Sequence, residues 1–347
     1  MAITIRQASL KSDRQVIVDI LTRNLPQLPH ARRFAWLYLN NPFGNGKAWL
    51  AFNDKTEAGV GVASVFPRMT YVCGDTVLGG QVGDFAIDSG SRSLGPAVLL
   101  QKATLTPVLE GEMAFCYDTP PDDRGMSTFK RMGITASGRM VRFAKPLRID
   151  DRMKGLFKGG IITSGSSFIG NAVLELQDQL CRHSNKECAV GFEVGRFGQE
   201  FTHLNEETKE KYEIFGERTA EYLNWRYKDD PLNQYEIITA RENGKLLAYT
   251  AVKIGGSVAH IIDIFGQESF MEHLLVFAAG FLREKGIATL QAIVLEGSPL
   301  AQIVRKAGFH FRDYSHWLVA SGEPNQQIHT LLNEKGRWFV TYSDVVI

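Results

Sequence analysis

The sequence is poor in cysteine and has no long apolar segment. Its 347 residues include four cysteines, none in a Cys-x-x-Cys pair and none spaced with histidines as zinc ligands are. This pattern argues against a disulfide scaffold and a zinc module, so we expect free thiols, a cytoplasmic location and no metal site. No run of about 18 apolar residues follows the polar N-terminus "MAITIRQASLKSDRQ", so neither a signal peptide nor membrane insertion is predicted.

An excess of charge of either sign is also missing. The chain carries 39 basic and 38 acidic residues, a formal net charge of +1. Proteins that bind nucleic acid usually display a basic stripe, and the sequence shows none. We therefore expect no nucleic-acid partner and favour a small molecule. The length and the 44% hydrophobic content predict two globular domains.

One seven-residue pattern occurs twice. "WLYLNNP" begins at Trp36 and "WRYKDDP" begins at Trp225, 189 positions later. Each copy precedes two strand-like runs joined by a polar turn, which predicts a hairpin. Each hairpin is followed by a strand, a long helix, a strand, a short helix ending in glycine, and a strand. We therefore predict one fold present twice, an α+β fold in which helices flank a mixed, mostly antiparallel sheet.

The same spacing predicts the domain boundaries. We place the first domain at 1–147 and the second at 165–347. The linker is placed at 148–164, because the stretch "DRMKGLFKGGIITSGSS" between the halves is rich in glycine, serine and charge. A helix over "SFIGNAVLELQDQLCRH" is predicted to open the second half.

The stretch from 82 to 105, "VGDFAIDSGSRSLGPAVLLQKATL", carries the strongest functional signal. It predicts a strand, a short loop and a helix that begins near Pro96. A loop entering a helix directs backbone N–H groups and the positive end of the helix dipole at one place, which suits a phosphate or pyrophosphate. Arg92 adds positive charge, and Gly95 permits close approach to the backbone. Many such connections bind nothing, so an ordinary structural loop stays open on this signal alone.

The hexapeptide 92–97, "RSLGPA", resembles the Gln/Arg-x-x-Gly-x-Gly/Ala loop of the GNAT superfamily of acyl-CoA-dependent N-acetyltransferases. "FKRMGI" and "VRKAGF" are similar to the family's late Tyr-x-x-x-Gly-Phe segment. Because both halves share the likeness, the chain resembles a tandem GNAT protein of bacterial type. The resemblance implies acetyl-CoA as co-substrate and a coenzyme site formed by Phe85, Ala86, Ile87, Arg92, Ser93, Leu94, Gly95 and Ala97.

The sequence also departs from that family. Pro96 removes one backbone donor from the loop. In the second half the loop pattern is missing, and Glu268 and Glu272 would repel phosphates, so we expect that half to have kept the fold and lost the coenzyme site. The family's tyrosine four residues before the late glycine is replaced by Phe129 and Val304, and neither can transfer a proton.

The segment "FCYDTPPDD" contains the remaining candidates for proton transfer. Tyr117 and Asp118 could serve as acid and base, and Asp84 could do so too. Each also has an ordinary structural interpretation: the two aspartates as turn or cap residues, and Tyr117 as a packed side chain. Because a thioester is already activated, positioning and an oxyanion donor can supply much of the rate without the usual tyrosine.

The resemblance implies an acyl-CoA-dependent N-acyltransferase, with a small amine such as an amino sugar as the acceptor, which we expect to be held between the domains. Two alternatives stay open. One is a GNAT-fold protein that senses acyl-CoA or scaffolds a pathway without catalysis, and the missing tyrosine motivates it. The other is a FemAB-like aminoacyl transferase, against which the near-neutral charge counts. Pairing with a second copy of the chain is a further open expectation.

Overall fold

The computed structural model describes residues 3–148, 188–322, 327–334 and 336–345. The first half contains these elements in chain order: β1 (Ile3–Gln7), α1 (Arg14–Asn24), α2 (His30–Phe34), β2 (Lys47–Asn53), β3 (Gly59–Val72), β4 (Asp75–Ile87), α3 (Leu94–Ala103), α4 (Thr106–Leu109), β5 (Phe115–Asp118), α5 (Asp123–Arg131) and β6 (Ala136–Pro146). The predicted hairpin is the β2–β3 pair. The predicted long helix is divided into α3 and α4, and it begins at Leu94, two residues before Pro96.

The second half repeats this order. Its elements are β7 (Ala189–Phe192), α6 (Gln199–Thr208), β8 (Ile214–Gly216), α7 (Ala220–Leu223), β9 (Glu236–Glu242), β10 (Lys245–Gly255), β11 (Val258–Gly266), α8 (Glu268–Glu284), β12 (Thr289–Leu295), α9 (Pro299–Lys306), β13 (His310–Gly322), α10 (Gln327–Asn333) and β14 (Trp338–Phe339). The predicted α+β class is confirmed. The linker and the helix predicted over 167–183 lie outside the described residues, and the domain boundaries stay a prediction.

The short helix of each half ends as its sequence predicts. In α5 the Asp122 side chain accepts a hydrogen bond from the Gly125 N–H, so the first turn is capped. In α9, Ser298 caps the helix in the same way, directly before a proline in the first turn. Both helices run into glycines with positive φ, +76° at Gly133 and +83° at Gly308, where a side chain would be strained.

The described strands form one mixed sheet that runs through both halves. Its order is β1-β2-β3-β4-β5-β13-β6-β12-β11-β10-β9-β7, with β8 on β3 and β14 on β8. Neighbours are antiparallel except for three parallel pairs, β4–β5, β11–β12 and β8–β14. When the strands of the second half are matched with those of the first, with β11, β12 and β13 corresponding to β4, β5 and β6, the sheet has the same strand order outward from its centre in both directions. The two copies are therefore related by an approximate two-fold axis between β13 and β6.

At that axis the two halves exchange their last strands. β13 of the second half pairs with β5 of the first, and β6 of the first half pairs with β12 of the second. In each half, the strand that borders β5 or β12 at the centre of the sheet is therefore supplied by the other half. The boundary at residue 147 thus stays a prediction from the sequence repeat, and the described strands on either side of it belong to one sheet.

The two tryptophans of the repeated heptapeptide meet across the same axis. The Trp36 indole N–H donates to the Trp225 carbonyl at 2.8 Å, and the Trp225 indole N–H donates to the Trp36 carbonyl at 3.0 Å. Their rings stack with centroids 5.0 Å apart. Each tryptophan lies in a single π-helical turn that follows a short helix, at 35–39 and 224–228. The heptapeptides therefore form a matched contact between the copies.

Candidate functional site

A cavity of about 700 Å³ opens in the first half where β4 and β5 separate. The parallel ladder between these strands pairs Gly79 with Phe115, Gly80 with Cys116 and Gln81 with Tyr117, and it ends there. Beyond this point the end of β4, the first turns of α3, the exit of β5 and the start of α5 surround the space. Its walls are predominantly apolar. This is the place at which the sequence predicts a ligand.

A β-bulge shapes the β4 side of the cavity. The pairing of β3 with β4 passes from Ala86 directly to Gly83, so that Asp84 and Phe85 have no partner in the register. A bulge removes backbone groups from the ladder and turns the strand locally. Phe85, Ala86 and Ile87 all line the cavity. The predicted pantetheine-binding residues are therefore brought together at one wall.

The predicted pyrophosphate loop lies at the mouth of the same cavity. Arg92, Ser93 and Ala97 line it. The Arg92 guanidinium donates to the Ile87 carbonyl at 3.1 Å and to Asn24 Oδ1 at 3.2 Å, which holds it over the end of β4. Gly95 lies in the first turn of α3 with open space around its Cα. The first N–H groups of a helix have no intrahelical acceptor, so this turn can donate to an anion.

Of Leu94 only the backbone position, at the start of α3, is described. Asp88 adds a negative charge beside the loop, which Arg23 neutralises at 2.7 Å, and the Asn24 amide donates a hydrogen bond to it at 2.6 Å. Burial acts to raise the pKa of Asp88, but the hydrogen bonds from Arg23 and Asn24 and the charges of Arg23 and Arg92 outweigh it, so the pKa of this carboxyl is lowered. The loop therefore carries Arg92 beside a carboxylate whose ion-pair partner is Arg23.

Asp118 is the predicted catalytic candidate that lines the cavity. Its carboxylate accepts a hydrogen bond from the Thr119 N–H at 2.6 Å and a long one from Gln101 at 3.5 Å. Burial raises the pKa of Asp118 to about 7, because these two bonds only partly replace the lost water. A carboxyl group with this pKa can accept or donate a proton at neutral pH.

Tyr117 points to the other face of the sheet. Successive side chains of a strand alternate between faces, so Tyr117 lies with Phe115, and Cys116 lies with Asp118. The Tyr117 ring packs 5.7 Å from the Trp338 ring. Burial, with the nearby negative charge of Asp344, raises the pKa of the Tyr117 phenol. Tyr117 and Asp118 are therefore not brought together in one cavity.

Asp84 is held in a buried ion pair. It adopts φ of +49°, a conformation that aspartate tolerates better than most residues. Its carboxylate accepts hydrogen bonds from Arg33 and from the Tyr38 hydroxyl, the latter at 2.8 Å, and the Arg33 and Asp84 side chains are 1% and 3% exposed. This arrangement fixes the bulge. A carboxylate so occupied is an anchor for the site and is poorly placed to take a proton from a ligand.

A second cavity, of about 300 Å³, lies between the halves. Trp36 and Trp225 contribute to its walls, and Gln81 is the β4 residue that reaches it. Val82, the next residue, packs on the face that α3 covers. The two cavities therefore lie on opposite faces of the sheet, near the point at which β4 leaves β5.

No protein-family model and no curated protein matches the sequence. Solved structures match the fold. A probable N-acyltransferase from Enterococcus faecalis superposes with a TM-score of 0.64 at 12% identity, over 92% of this chain and 72% of that one. A GCN5-related N-acetyltransferase from Anabaena variabilis gives 0.63 at 12% identity, over 92% and 72%.

The chain has the GNAT fold.

N-myristoyltransferase from Saccharomyces cerevisiae, solved with bound myristoyl-CoA, also superposes, with a TM-score of 0.58 at 12% identity over 99% of this chain and 89% of that one. The resemblance to the GNAT superfamily seen in the 92–97 loop is thus confirmed at the level of the fold. At these identities the likeness shows the fold alone.

In the second half the space between the ends of β11 and β12 is occupied by the chain itself. The β11–β12 ladder ends at Ile261 and Ala292, and beyond it Val294 bridges to Thr341. Thr341 also donates to the buried carboxylate of Asp263 at 2.8 Å. The segment that follows, residues 342–344, is a single 3₁₀ turn. This arrangement agrees with the predicted loss of the coenzyme site in the second half, which stays a prediction.

A buried charge network completes that filling. Arg218, with no exposed surface, pairs with Asp263 at 3.1 Å and with Asp344 at 2.8 Å, and Asp344 also pairs with Arg68 of β3 at 3.2 Å. None of these four residues was predicted from the sequence. A signal was available, because an aspartate interrupts an apolar strand in both halves: Asp84 lies within the bulge of β4, and Asp263 directly follows the unpaired Ile262 of β11.

Phe129 stands where the family resemblance places a tyrosine. In the structure Phe129 lines the first cavity together with Pro120 and Pro121, so the position faces the ligand space although its side chain carries no proton. Among the described residues, no group of three or more His, Cys, Asp or Glu is placed to hold a metal ion. In the same part of the chain, no helix is long and apolar enough to cross a membrane.

Proposed function

We propose that this chain is an acyl-CoA-dependent N-acyltransferase that uses its first half for the coenzyme. The observation that carries the proposal is the 700 Å³ cavity between the diverging ends of β4 and β5. Six of the eight residues named from the sequence for coenzyme binding line it. The GNAT fold supports the same assignment, and one neighbour of this fold was solved with myristoyl-CoA bound.

The residues suggest how each part of the coenzyme is held. Arg92 and the first turn of α3 would bind the pyrophosphate by charge and by backbone donors. The bulged end of β4, with its unpaired backbone at Asp84 and Phe85, would bind the pantetheine arm and direct the thioester toward the end of the β4–β5 ladder. Acetyl-CoA is the proposed donor.

The amine acceptor is proposed to occupy the second cavity, between the halves, on the other face of the sheet. Asp118 lies on the coenzyme side of the sheet and would accept the proton that the amine loses through water at the gap between the ends of β4 and β5, since its pKa lies near 7. The nitrogen attacks the thioester carbonyl carbon, the carbon–sulfur bond breaks, and the coenzyme leaves as a thiolate that takes up a proton. No side chain is assigned as that acid, because Phe129 has no proton to give.

Coenzyme binding can be tested by thermal unfolding with coenzyme A and acetyl-CoA. At 100 times Kd a ligand stabilises a protein by about 2.7 kcal/mol, and we expect a rise in Tm of several degrees. Arg92→Glu should abolish the rise, whereas Arg312→Glu, an exposed charge reversal on β13, should retain it. The coenzyme site is wrong if neither coenzyme stabilises the parent chain, or if Arg92→Glu responds as the parent does.

A non-catalytic acyl-CoA sensor is a second candidate, because the cavity presents Phe129 where a proton donor is expected. Thiol release from acetyl-CoA separates the two functions. An enzyme releases the coenzyme thiol in proportion to acceptor added from an amine panel. A sensor binds the coenzyme in the thermal assay and releases no thiol above the rate of spontaneous hydrolysis.

A further inference from the structure

We infer that the cavity between the halves accepts an amine that also carries an anionic group, a carboxylate or a phosphate. The inference rests on the proposed function and specifies its acceptor. The cavity has a fixed frame, since Trp36 and Trp225 hold each other through two reciprocal hydrogen bonds. Its polar lining is dominated by three cations: Arg32, Arg226 and Lys253.

One carboxylate, Asp230, balances one of these cations. Asp230 lies 3.7 Å from Arg226, and both side chains are nearly fully buried. Its oxygens also accept hydrogen bonds from the Leu232 N–H at 2.8 Å, from Asn233 at 2.9 Å and from the Tyr235 hydroxyl at 2.7 Å. The oxygens of Asp230 are therefore occupied by these hydrogen bonds, and its negative charge offsets the positive charge of Arg226.

The other two cations that line the cavity, Lys253 and Arg32, are not neutralised by a carboxylate of the described residues. Arg32 donates to the Pro231 carbonyl at 2.9 Å, a neutral acceptor. Lys253 is half-buried in β10, and within the described ranges neither cation has a carboxylate at ion-pair distance. The residue paired with Lys253 on β11 is His260, and burial together with the charges of Lys253 and Arg142 lowers its pKa. His260 thus contributes no compensating charge.

The net result is a small, partly closed cavity with a charge excess of two positive groups. A half-buried ammonium group without a counterion has lost part of its water, so an anion that restores its interactions binds there more strongly than at the open surface. A simple amine has no group for this position. Its own positive charge would be repelled before it could reach Gln81 and the end of the β4–β5 ladder.

The test compares matched amines in the acyl-transfer assay with the full chain. β-Alanine is compared with β-alaninamide, and phosphoethanolamine with ethanolamine, which separates carboxylate from phosphate recognition. We expect at least one anionic amine to exceed its neutral partner by about 10-fold or more in kcat/KM. A charge-assisted hydrogen bond supports a change of about 10- to 100-fold.

Two variants locate the effect. Lys253→Met should raise KM for the preferred anionic amine by about 10- to 100-fold and should not raise KM for the partner without the anionic group, because the variant removes a repulsive positive charge. Lys211→Met, which removes an exposed lysine outside the cavity lining, should change neither. Neutral amines that react as well as anionic ones, or a Lys253→Met effect of equal size on both members of a pair, would overturn the inference.

Binding measurements separate this inference from the proposed function. Coenzyme A is titrated first. With coenzyme A bound, calorimetric titration of β-alanine and of phosphoethanolamine then requires no turnover. Heat of binding with the parent chain that is lost with Lys253→Met supports an anion-recognising cavity even if no thiol is released. Coenzyme binding without heat from either amine rejects the anionic acceptor while the coenzyme site stands.

Discussion

Asp118→Asn should make the chain more resistant to alkaline conditions. Burial raises the pKa of this carboxyl from 3.8 to about 7 in the folded protein. In the unfolded chain it ionises near 4, so between pH 4 and 7 the folded state binds the extra proton. The stability that the protonated Asp118 carboxyl contributes to the folded state is therefore complete at low pH and is lost as the pH rises through 7. Asparagine has the same shape and does not titrate.

The magnitude follows from the size of the shift. With a pKa of 3.8 in the unfolded chain and about 7 in the folded chain, this carboxyl group lowers the free energy of unfolding by about 2 to 3 kcal/mol between pH 5 and pH 8. Because the group contacts water in the cavity, we expect a value at the lower end of this range. The free energy of unfolding of Asp118→Asn, relative to the parent, should rise by about 2 kcal/mol over that range.

Urea unfolding at pH 5 and pH 8, followed by tryptophan fluorescence, measures this difference. Asp54→Asn changes an exposed aspartate in the β2–β3 turn and should unfold in parallel with the parent at both pH values. If Asp118→Asn also runs parallel to the parent, Asp118 is ordinarily solvated and the raised pKa is wrong. If Asp118 is the base, kcat/KM of the parent should in addition rise with pH around 7, and the variant should lack that rise.

Two predictions concern the frame of the site. Arg33→Met leaves Asp84 as a buried carboxylate without its ion-pair partner and should lower the free energy of unfolding, measured in urea, by about 3–5 kcal/mol. The double variant Arg33→Met/Asp84→Asn should recover much of that loss. Equal stability of the single and the double variant would mean that the pair is not the anchor. Trp36→Phe and Trp225→Phe each remove one hydrogen bond and should cost about 1 kcal/mol, and a double-mutant cycle should show coupling. Additive losses would show that the two tryptophans act independently.

The elements of this fold could be predicted because they depend on local patterns. Strand-like apolar runs joined by polar turns predicted both hairpins, and a basic last turn before Gly133 and Gly308 marked the ends of the short helices. The strand exchange could not be predicted in this way. β6 and β13 are copies of one strand with similar patterns, so no local feature distinguishes a strand's own copy from the other as its partner.

The candidate site was also predictable only where it depends on a local sequence pattern. Arg92 and the residues around it were found because a loop that enters a helix has a recognisable composition. Alternation along β5 implies that Tyr117 and Asp118 face opposite ways, but which face holds the cavity depends on where α3 and α5 pack. The buried pairing of Asp84 with Arg33 joins residues 51 positions apart, and no spacing rule connects them.

The exchanged strands also bear on how the protein is made. β5, which carries Asp118, is bordered on one side by β13, and the partner of Asp118 there is Val319, 201 positions later (319 − 118). At roughly 5–20 residues per second, the ribosome needs about 10–40 s to supply that partner. For this time the β5 edge beside the first cavity cannot pair with β13. The sheet around that cavity is therefore completed only after the second half has been synthesised.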